Sequence, residues 1–333
     1  MSQPSAARVA RLPLLSNSSL NTFRRCPREY YFRYVLLRKT RSKASALRFG
    51  TLFHLALNAW WRCNGYAFAK LSEAFTAIEA QTEETDPFQI VKAKCLIAGY
   101  TARWGEDGYE SIAVELQFRI PIEGTGYDLG GAIDAIVRRR GRTRNVEHKT
   151  TSSDISVGSD YWRHIVSLDP QVSTYMNAAR TLGLAPVDTL YDVIRKPAMA
   201  PLLATPEESR KYTRPTKAEP IPRLYANQRE TDETPEEYEA RLTADIAERP
   251  GWYFARAPIV RLEGDDAAHA EDLLGTAETI TFASTRNQWP RSPNACERFG
   301  RLCEFHDVCA GVTTIDDDTR FATKTRQHEE LKE

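Results

Sequence analysis

The segment from residue 111 to residue 150 most constrains what this chain can fold into. In residues 111–121, Ile112, Val114, Leu116 and Phe118 alternate with other residues, as on one face of a strand. Residues 127–138 and 144–150 read as two further strands, joined by a turn crowded with Arg138, Arg139, Arg140, Arg142 and Arg144. Asp134 lies between Ile133 and Ile136, behind Gly130-Gly131, and Glu147 and Lys149 stand two apart at the end of the next strand. Strand side chains alternate faces, so Glu147 and Lys149 point the same way, and a hairpin pairing brings Asp134 to them. Two acids and a lysine at one point make a cation site with a charge stabiliser beside it, the arrangement that metal-assisted phosphodiester hydrolysis needs. The plainer alternative makes Asp134 a strand-end polar residue and Glu147 and Lys149 an exposed ion pair.

The flanking segments are mostly helical. Residues 16–35 predict a helix that Cys26-Pro27 interrupts or restarts. Residues 49–61 predict a second, with Leu52, Phe53, Ala56, Leu57 and Trp60 forming its apolar stripe. Helix is expected to continue through 67–100. Asp169-Pro170 is an N-cap acid followed by proline at the first helical position. Residues 189–196 and 252–262 read as strands. Between them, 197–233 is proline-rich and polar, and the chain from 197 to 250 reads as an insertion that ends in a helix opened by the capping box Thr234-Pro-Glu-Glu237. A last helix is expected over 265–284. The sequence thus predicts an α/β fold, a central mixed sheet flanked by helices, with a helical N-terminal part and a C-terminal cysteine segment. Residues 1–13 and 313–333 read as flexible tails around one domain, 14–312.

The chain carries 45 basic and 45 acidic side chains, which taken alone argues against a polyanionic partner. Their distribution reverses that reading. Residues 1–50 hold eleven Lys or Arg and a single acid, Glu29, whereas eight acids fall between Glu230 and Glu248. A basic face opposed by an acidic one can collect phosphates. No run of 18 apolar residues is long enough to cross a membrane, and residues 1–15 lack the apolar stretch of a secretory signal, so a cytoplasmic location is expected.

Further residues fit the same centre. Gln171 and Tyr175, four apart, share a helix face and can present an amide and a phenol to a bound water or a phosphate, although one surface residue and one core tyrosine is the commoner meaning of such a pair. His54 lies in an apolar stripe, where a histidine is more often a satisfied core residue than a ligand; as a ligand, its imidazole would favour Mn²⁺ beside Mg²⁺.

The segments 49–54 (Phe-Gly-Thr-Leu-Phe-His), 131–134 (Gly-Ala-Ile-Asp), 147–149 (Glu-His-Lys) and 171–175 (Gln-Val-Ser-Thr-Tyr) together resemble the RecB-like branch of the PD-(D/E)xK nuclease superfamily, in its order and over about residues 14–312. The resemblance implies a restriction-endonuclease-like core. It implies that His54, Asp134 and Glu147 bind Mg²⁺ or Mn²⁺, with the carbonyl of His148 as a backbone ligand. It also implies that Lys149 is catalytic and that Gln171 and Tyr175 support the site. Ile133 stands where the motif nominally has proline, a departure common in this branch.

Cys26 stands far from the trio Cys296, Cys303 and Cys309. That layout is similar to relatives with a four-cysteine iron–sulfur cluster, the CRISPR-associated exonucleases and the AddB nuclease domain, so a [4Fe-4S] cluster is expected on these four thiols. Those relatives often have two residues between the first pair of the trio; here there are six. Zinc is the inorganic alternative, without the usual short Cys-x₂₋₄-Cys knuckles, and unrelated thiols are the plainest one. The resemblance implies a metal-dependent DNA exonuclease acting on single strands or duplex ends in recombination and repair, phage DNA processing or CRISPR adaptation. No Gly-x₄-Gly-Lys-Ser/Thr loop is present, so unwinding would need a helicase or other partner protein. Tyr30, Tyr31 and Tyr34 could stack bases, with Arg24, Arg25 and Arg28 on phosphates; the plainer alternative packs these rings against the cluster and sheet. The competing reading is a non-cleaving accessory subunit that binds DNA ends.

Overall fold

The computed structural model describes residues 13–41, 45–81, 85–215, 221–298, 300–329 and 331. The expected tail 1–13 lies, apart from Pro13, outside the described residues. The chain opens with β1 (Leu14–Ser16), α1 (Asn17–Arg25), α2 (Pro27–Tyr30), a π-helical turn (Tyr31–Val35) and β2 (Arg38–Thr40). Three helices follow: α3 (Ser45–Arg62), α4 (Ala67–Glu79) and α5 (Pro87–Trp104). The central stretch is β3 (Glu110–Pro121), β4 (Asp128–Arg139), β5 (Arg142–Thr151), α6 (Asp160–Leu168), α7 (Pro170–Thr181) and β6 (Thr189–Arg195). Then come α8 (Pro235–Glu248), α9 (Pro250–Tyr253), β7 (Phe254–Ile259) and α10 (Glu263–Arg286). The chain closes with β8 (Glu297–Arg298), β9 (Arg301–Leu302), α11 (His306–Cys309) and β10 (Phe321–Thr323).

Six strands form one mixed sheet in the order β1-β4-β5-β6-β7, with β3 on the other edge of β4. β1 runs parallel to β4 and β5 parallel to β6, while β3–β4, β4–β5 and β6–β7 are antiparallel. Helices cover both faces. On one, α3, α4, α5 and α8 bury Leu57, Trp60, Tyr100 and Leu242 against Val137, Val146 and Leu190 of the sheet. On the other, α1, α7 and α10 bury Leu20, Ala178 and Ile280 against Ile133 and Ile136, and α6 packs beside them through Trp162 and Ile165. The expected α/β architecture is the observed one.

The caps form where the side chains allow them. Ser16 and Ser19 exchange hydrogen bonds in a capping box at the start of α1. Asp169 accepts from the Gln171 N–H at 2.9 Å with Pro170 at the first position of α7. Thr234 and Glu237 form the expected box on α8. Gly130 and Gly131 are required by packing: a Cβ on Gly130 would sit 2.7 Å from Leu14 Cδ1, and one on Gly131 2.6 Å from the Phe118 ring.

Three expectations change. The alternation expected along β3 breaks, because the register slips between Ser111 and Ala113 and Glu115 takes a left-handed φ of 55°; Ile112 is 41% exposed rather than on a core face. Of the expected insertion 197–250, α8 lies inside the body of the domain: Tyr238, Leu242 and Ile246 complete the core against α5. Nor do the described residues after 313 run loose. β10 pairs antiparallel with β2, and Phe321, 1% exposed, stacks on Phe305 at 5.6 Å. Phe321 and Ile315, with the ion pairs Lys39–Glu329 and Arg320–Asp307, supply this docking, too few apolar residues for a periodicity to betray it.

Candidate active site

β4 fixes the site through the way its edges are shared. β3 occupies one edge from Asp128 to Arg138. On the other edge β5 pairs only from Ala135 to Arg139, and β1 takes over from Asp128 to Gly130. Between them the ladder forks, and Asp134 stands at the fork. Its carboxylate replaces a ladder partner: the His148 N–H donates to Asp134 Oδ2 at 2.7 Å. The carboxylate and the backbone of the Glu147-His148-Lys149 strand are thus joined directly, as the alternation of the two strands predicts.

From β5 a polar chain runs to α7. Lys149 Nζ forms an ion pair with Glu147 and donates to Gln171 Oε1 at 2.7 Å, and Gln171 Nε2 donates to the Tyr175 hydroxyl at 2.9 Å. Glu147 is 2% exposed, and its second oxygen, Oε2, has no hydrogen-bond partner. Burial pushes the Glu147 carboxyl well above the ordinary carboxylate range, with Lys149 opposing and Asp134 reinforcing. Burial alone would lower Lys149, but Glu147 and Asp169 raise it, so its ammonium is held charged. Tyr175 is raised by burial and by the Glu147 and Asp134 carboxylates, which keeps the phenol protonated.

His54 reaches the same locality from α3. Burial lowers its pKa, with Asp134 opposing and His148 and Lys149 adding to the fall, so its ring lies within electrostatic reach of the Asp134 and Lys149 charges. A neutral imidazole is the form that binds a cation. The His148 side chain turns away: Nδ1 lies 3.0 Å from Asp192 Oδ2 behind the sheet. Among the described residues no three or more His, Cys, Asp or Glu side chains are gathered as a ready metal cage. A hard cation does not require one. One or two carboxylates with waters hold Mg²⁺, and the orphaned Glu147 Oε2 beside Asp134 fits that need.

Two groups escaped the sequence reading. Glu115 lies opposite Asp134 in register, between the pairs Val114↔Ala135 and Leu116↔Ile133, and Asn58 Nδ2 donates to its carboxylate at 2.8 Å. Asn58 is four residues beyond His54, on the same helix face, which was a usable signal. Behind β5, Arg256 donates to Asp192 at 3.1 Å, Asp107 at 2.6 Å and the Tyr100 hydroxyl at 2.6 Å. An acid inside the buried run of β6 pointed to such a partner, but not to which arginine it was.

The first-helix aromatics do not offer stacking faces. Tyr30 and Tyr34 are buried, and both Tyr30 and Tyr31 stack on Trp289, at 5.8 and 5.4 Å. Arg24 donates to Asp272 O, Arg25 pairs with Glu29 and Arg28 donates to Trp289 O, so these arginines tie α1 and α2 to the protein. Cys26 ends α1 with an extended backbone, φ −155°. Its thiol lines a cavity of about 610 Å³ together with Cys296, Cys303 and Cys309. The six residues between Cys296 and Cys303 hold the β8–β9 hairpin, which brings the two cysteines together, Cys303 N–H to Cys296 O at 2.6 Å. Burial pushes the Cys303 thiol up to about 11.

The sequence model of the PD-(D/E)XK nuclease superfamily matches residues 14–310. The chain belongs to this superfamily. The mixed sheet flanked by helices is its restriction-endonuclease-like core, and membership implies a metal-dependent nuclease with DNA as substrate. No curated protein matches the chain. Among solved structures, the crystal structure of SSO0001 is 15% identical, covering 73% of this chain and 77% of that one, with a TM-score of 0.26; the assignment rests on the family model. Among the described residues no helix is long and apolar enough to cross a membrane.

Proposed function

We propose that this chain is a RecB-like DNA exonuclease that works with Mg²⁺ or Mn²⁺ and carries a [4Fe-4S] cluster. The observation that carries the first part is the polar chain Glu147–Lys149–Gln171–Tyr175 beside Asp134 at the fork, with Glu147 Oε2 unpaired. Asp134 and Glu147 would hold the cation, with His54 and the His148 carbonyl as further ligands. A bound divalent cation supplies an activated water and neutralises charge on the phosphorane. The Lys149 ammonium, aimed by Glu147 and Gln171, orients the attacking water or meets the charge that develops on phosphate oxygen. Gln171 and Tyr175 act by holding Lys149 in place. The substrate is DNA, as single strands or duplex ends, in recombination and repair, phage DNA processing or CRISPR adaptation. A helicase or other partner protein would supply unwinding, and a cytoplasmic location accords with reduced thiols.

Four cysteines line one cavity, the number of thiolates that suits [4Fe-4S], and binding would draw their side chains together from positions that do not yet form a cage. Cys26 belongs to the N-terminal helices and the trio to the C-terminal segment, so the cluster would staple the two ends of the domain. The test is cleavage of end-labelled DNA with Mg²⁺ or Mn²⁺ by the wild type, Asp134→Ala and Lys149→Ala. Loss of several kcal/mol of transition-state stabilisation should lower each variant's rate by about 10³-fold. A wild type silent on single and double strands with both ions would leave only the end-binding accessory. Anaerobic purification should give a brown protein with about four irons per chain; stoichiometric zinc instead would refute the cluster.

A further inference from the structure

Away from the catalytic fork, the tip of the β4–β5 hairpin carries a second built feature. Tyr109, Arg139, Arg140, Arg142 and Arg144 line a cavity of about 520 Å³. Arg139, Arg140 and Arg142 are exposed, and among the described residues none of the three has an ion-pair partner within 4 Å. Arg144 pairs with Asp188 at 3.4 Å. The Arg139 guanidinium lies over the Tyr109 ring, 5.3 Å from its centroid, and the half-buried ring packs beside Trp61 at 6.5 Å, which leaves it anchored at the rim of the core. The backbone adds a further sign. Arg139 pairs with Arg142, and the two residues between them, Arg140 and Gly141, have φ of 48° and 74°. This two-residue turn favours asparagine or aspartate before the glycine. Here a long cation occupies a left-handed position that disfavours it, and its charge is added to the cavity.

An aromatic ring set among four guanidinium groups that share one nearby carboxylate, Asp188, matches a single-stranded nucleic acid, whose bases stack while its phosphates meet the arginines. We propose that this cavity is a single-strand subsite, Tyr109 taking a base and Arg139, Arg140 and Arg142 taking flanking phosphates. The hairpin tip lies five residues along each strand from Asp134 and Glu147, about 17 Å at the rise of a strand. The subsite therefore grips the strand beyond the bond being cut. It rests on the nuclease reading and extends it.

The experiment is a salt titration of binding to a long labelled single strand in EDTA, where no metal-dependent cleavage occurs. The proteins are the full-length wild type, Arg140→Ala/Arg142→Ala, Tyr109→Ala and Tyr109→Phe. The arginine pair should lower the slope of log K against log salt by about 1.4, at about 0.7 per phosphate contact on a single strand. Tyr109→Ala should weaken binding roughly tenfold at an unchanged slope, and Tyr109→Phe should restore it. The arginines lie at an exposed turn, so their variant remains informative should Tyr109→Ala fail to fold. Equal losses on a blunt duplex would overturn the assignment to single strands. A wild type that cleaves DNA while all three variants bind with its affinity and slope would overturn the subsite alone. A wild type that neither binds nor, with Mg²⁺, cleaves would overturn the nuclease reading itself.

Discussion

Replacing Arg256 by methionine tests whether the buried network behind β5 is a coupled unit. The Arg256 side chain is 5% exposed, Asp192 1% and Asp107 9%, and the guanidinium joins both carboxylates and the Tyr100 hydroxyl. Burial alone would raise the Asp192 carboxyl, yet Arg256 and the His148 bond hold it below the usual carboxylate range. Methionine keeps much of the volume against Trp104, whose ring the guanidinium covers at 4.4 Å, but leaves two buried carboxylates without their cation. Removing one partner of a buried pair costs about 3–5 kcal/mol. The assay is urea unfolding followed by tryptophan fluorescence, with Asp192→Asn and the double variant completing a cycle. Because Asp192→Asn removes one stranded charge, the double variant should be more stable than the sum of the singles by about 2 kcal/mol. A loss below about 1 kcal/mol for Arg256→Met, or additivity within about 0.5 kcal/mol, would refute a coupled network. The consequence reaches the site, because Asp192 accepts from the His148 ring and His148 lies between Glu147 and Lys149.

Other perturbations follow from the same contacts. Gly131→Ala would place a methyl 2.6 Å from Phe118 and 3.3 Å from Tyr175; we expect a loss of about 1–3 kcal/mol in urea unfolding and a lower cleavage rate as Tyr175 is pushed from Gln171. Burial lowers the pKa of His269, whose Nε2 lies 3.0 Å from Thr174 Oγ1, so the unfolded chain binds the extra proton. Its contribution to stability is full above the unfolded value of about 6.5 and is lost as pH falls below it; His269→Gln should flatten that part of the stability–pH curve. Cys26→Ser should reduce bound iron and lower the unfolding temperature, read by metal analysis and calorimetry, and unchanged values for both would separate Cys26 from the trio.

Much of the centre was legible in the sequence because strand periodicity is local. Alternation alone set Glu147 and Lys149 on one face, and the four-residue spacing of Gln171 and Tyr175 set them on one face of α7; the structure joins these four side chains in one hydrogen-bonded run. The cysteine segment was half legible. Its residues were plain, but the gap of six made sense only once the β8–β9 hairpin folded it away. The aromatic run at residues 30–34 left stacking and packing both open, because a helix rich in tyrosine looks the same in sequence whether its rings face solvent or Trp289.

The sequence by itself determined the order of the central elements, the mixed α/β class and the strand face that Glu147 and Lys149 share, since all of these are written in periods of two and 3.6 residues and in caps. Only the tertiary structure decided how β5 and β1 share one edge of β4 to leave Asp134 at a fork, which arginine meets Asp192, that Glu115 faces the centre, and that Phe321 returns to the core. These depend on pairings between residues far apart along the chain. Their energies come from burial and desolvation, which no local pattern records.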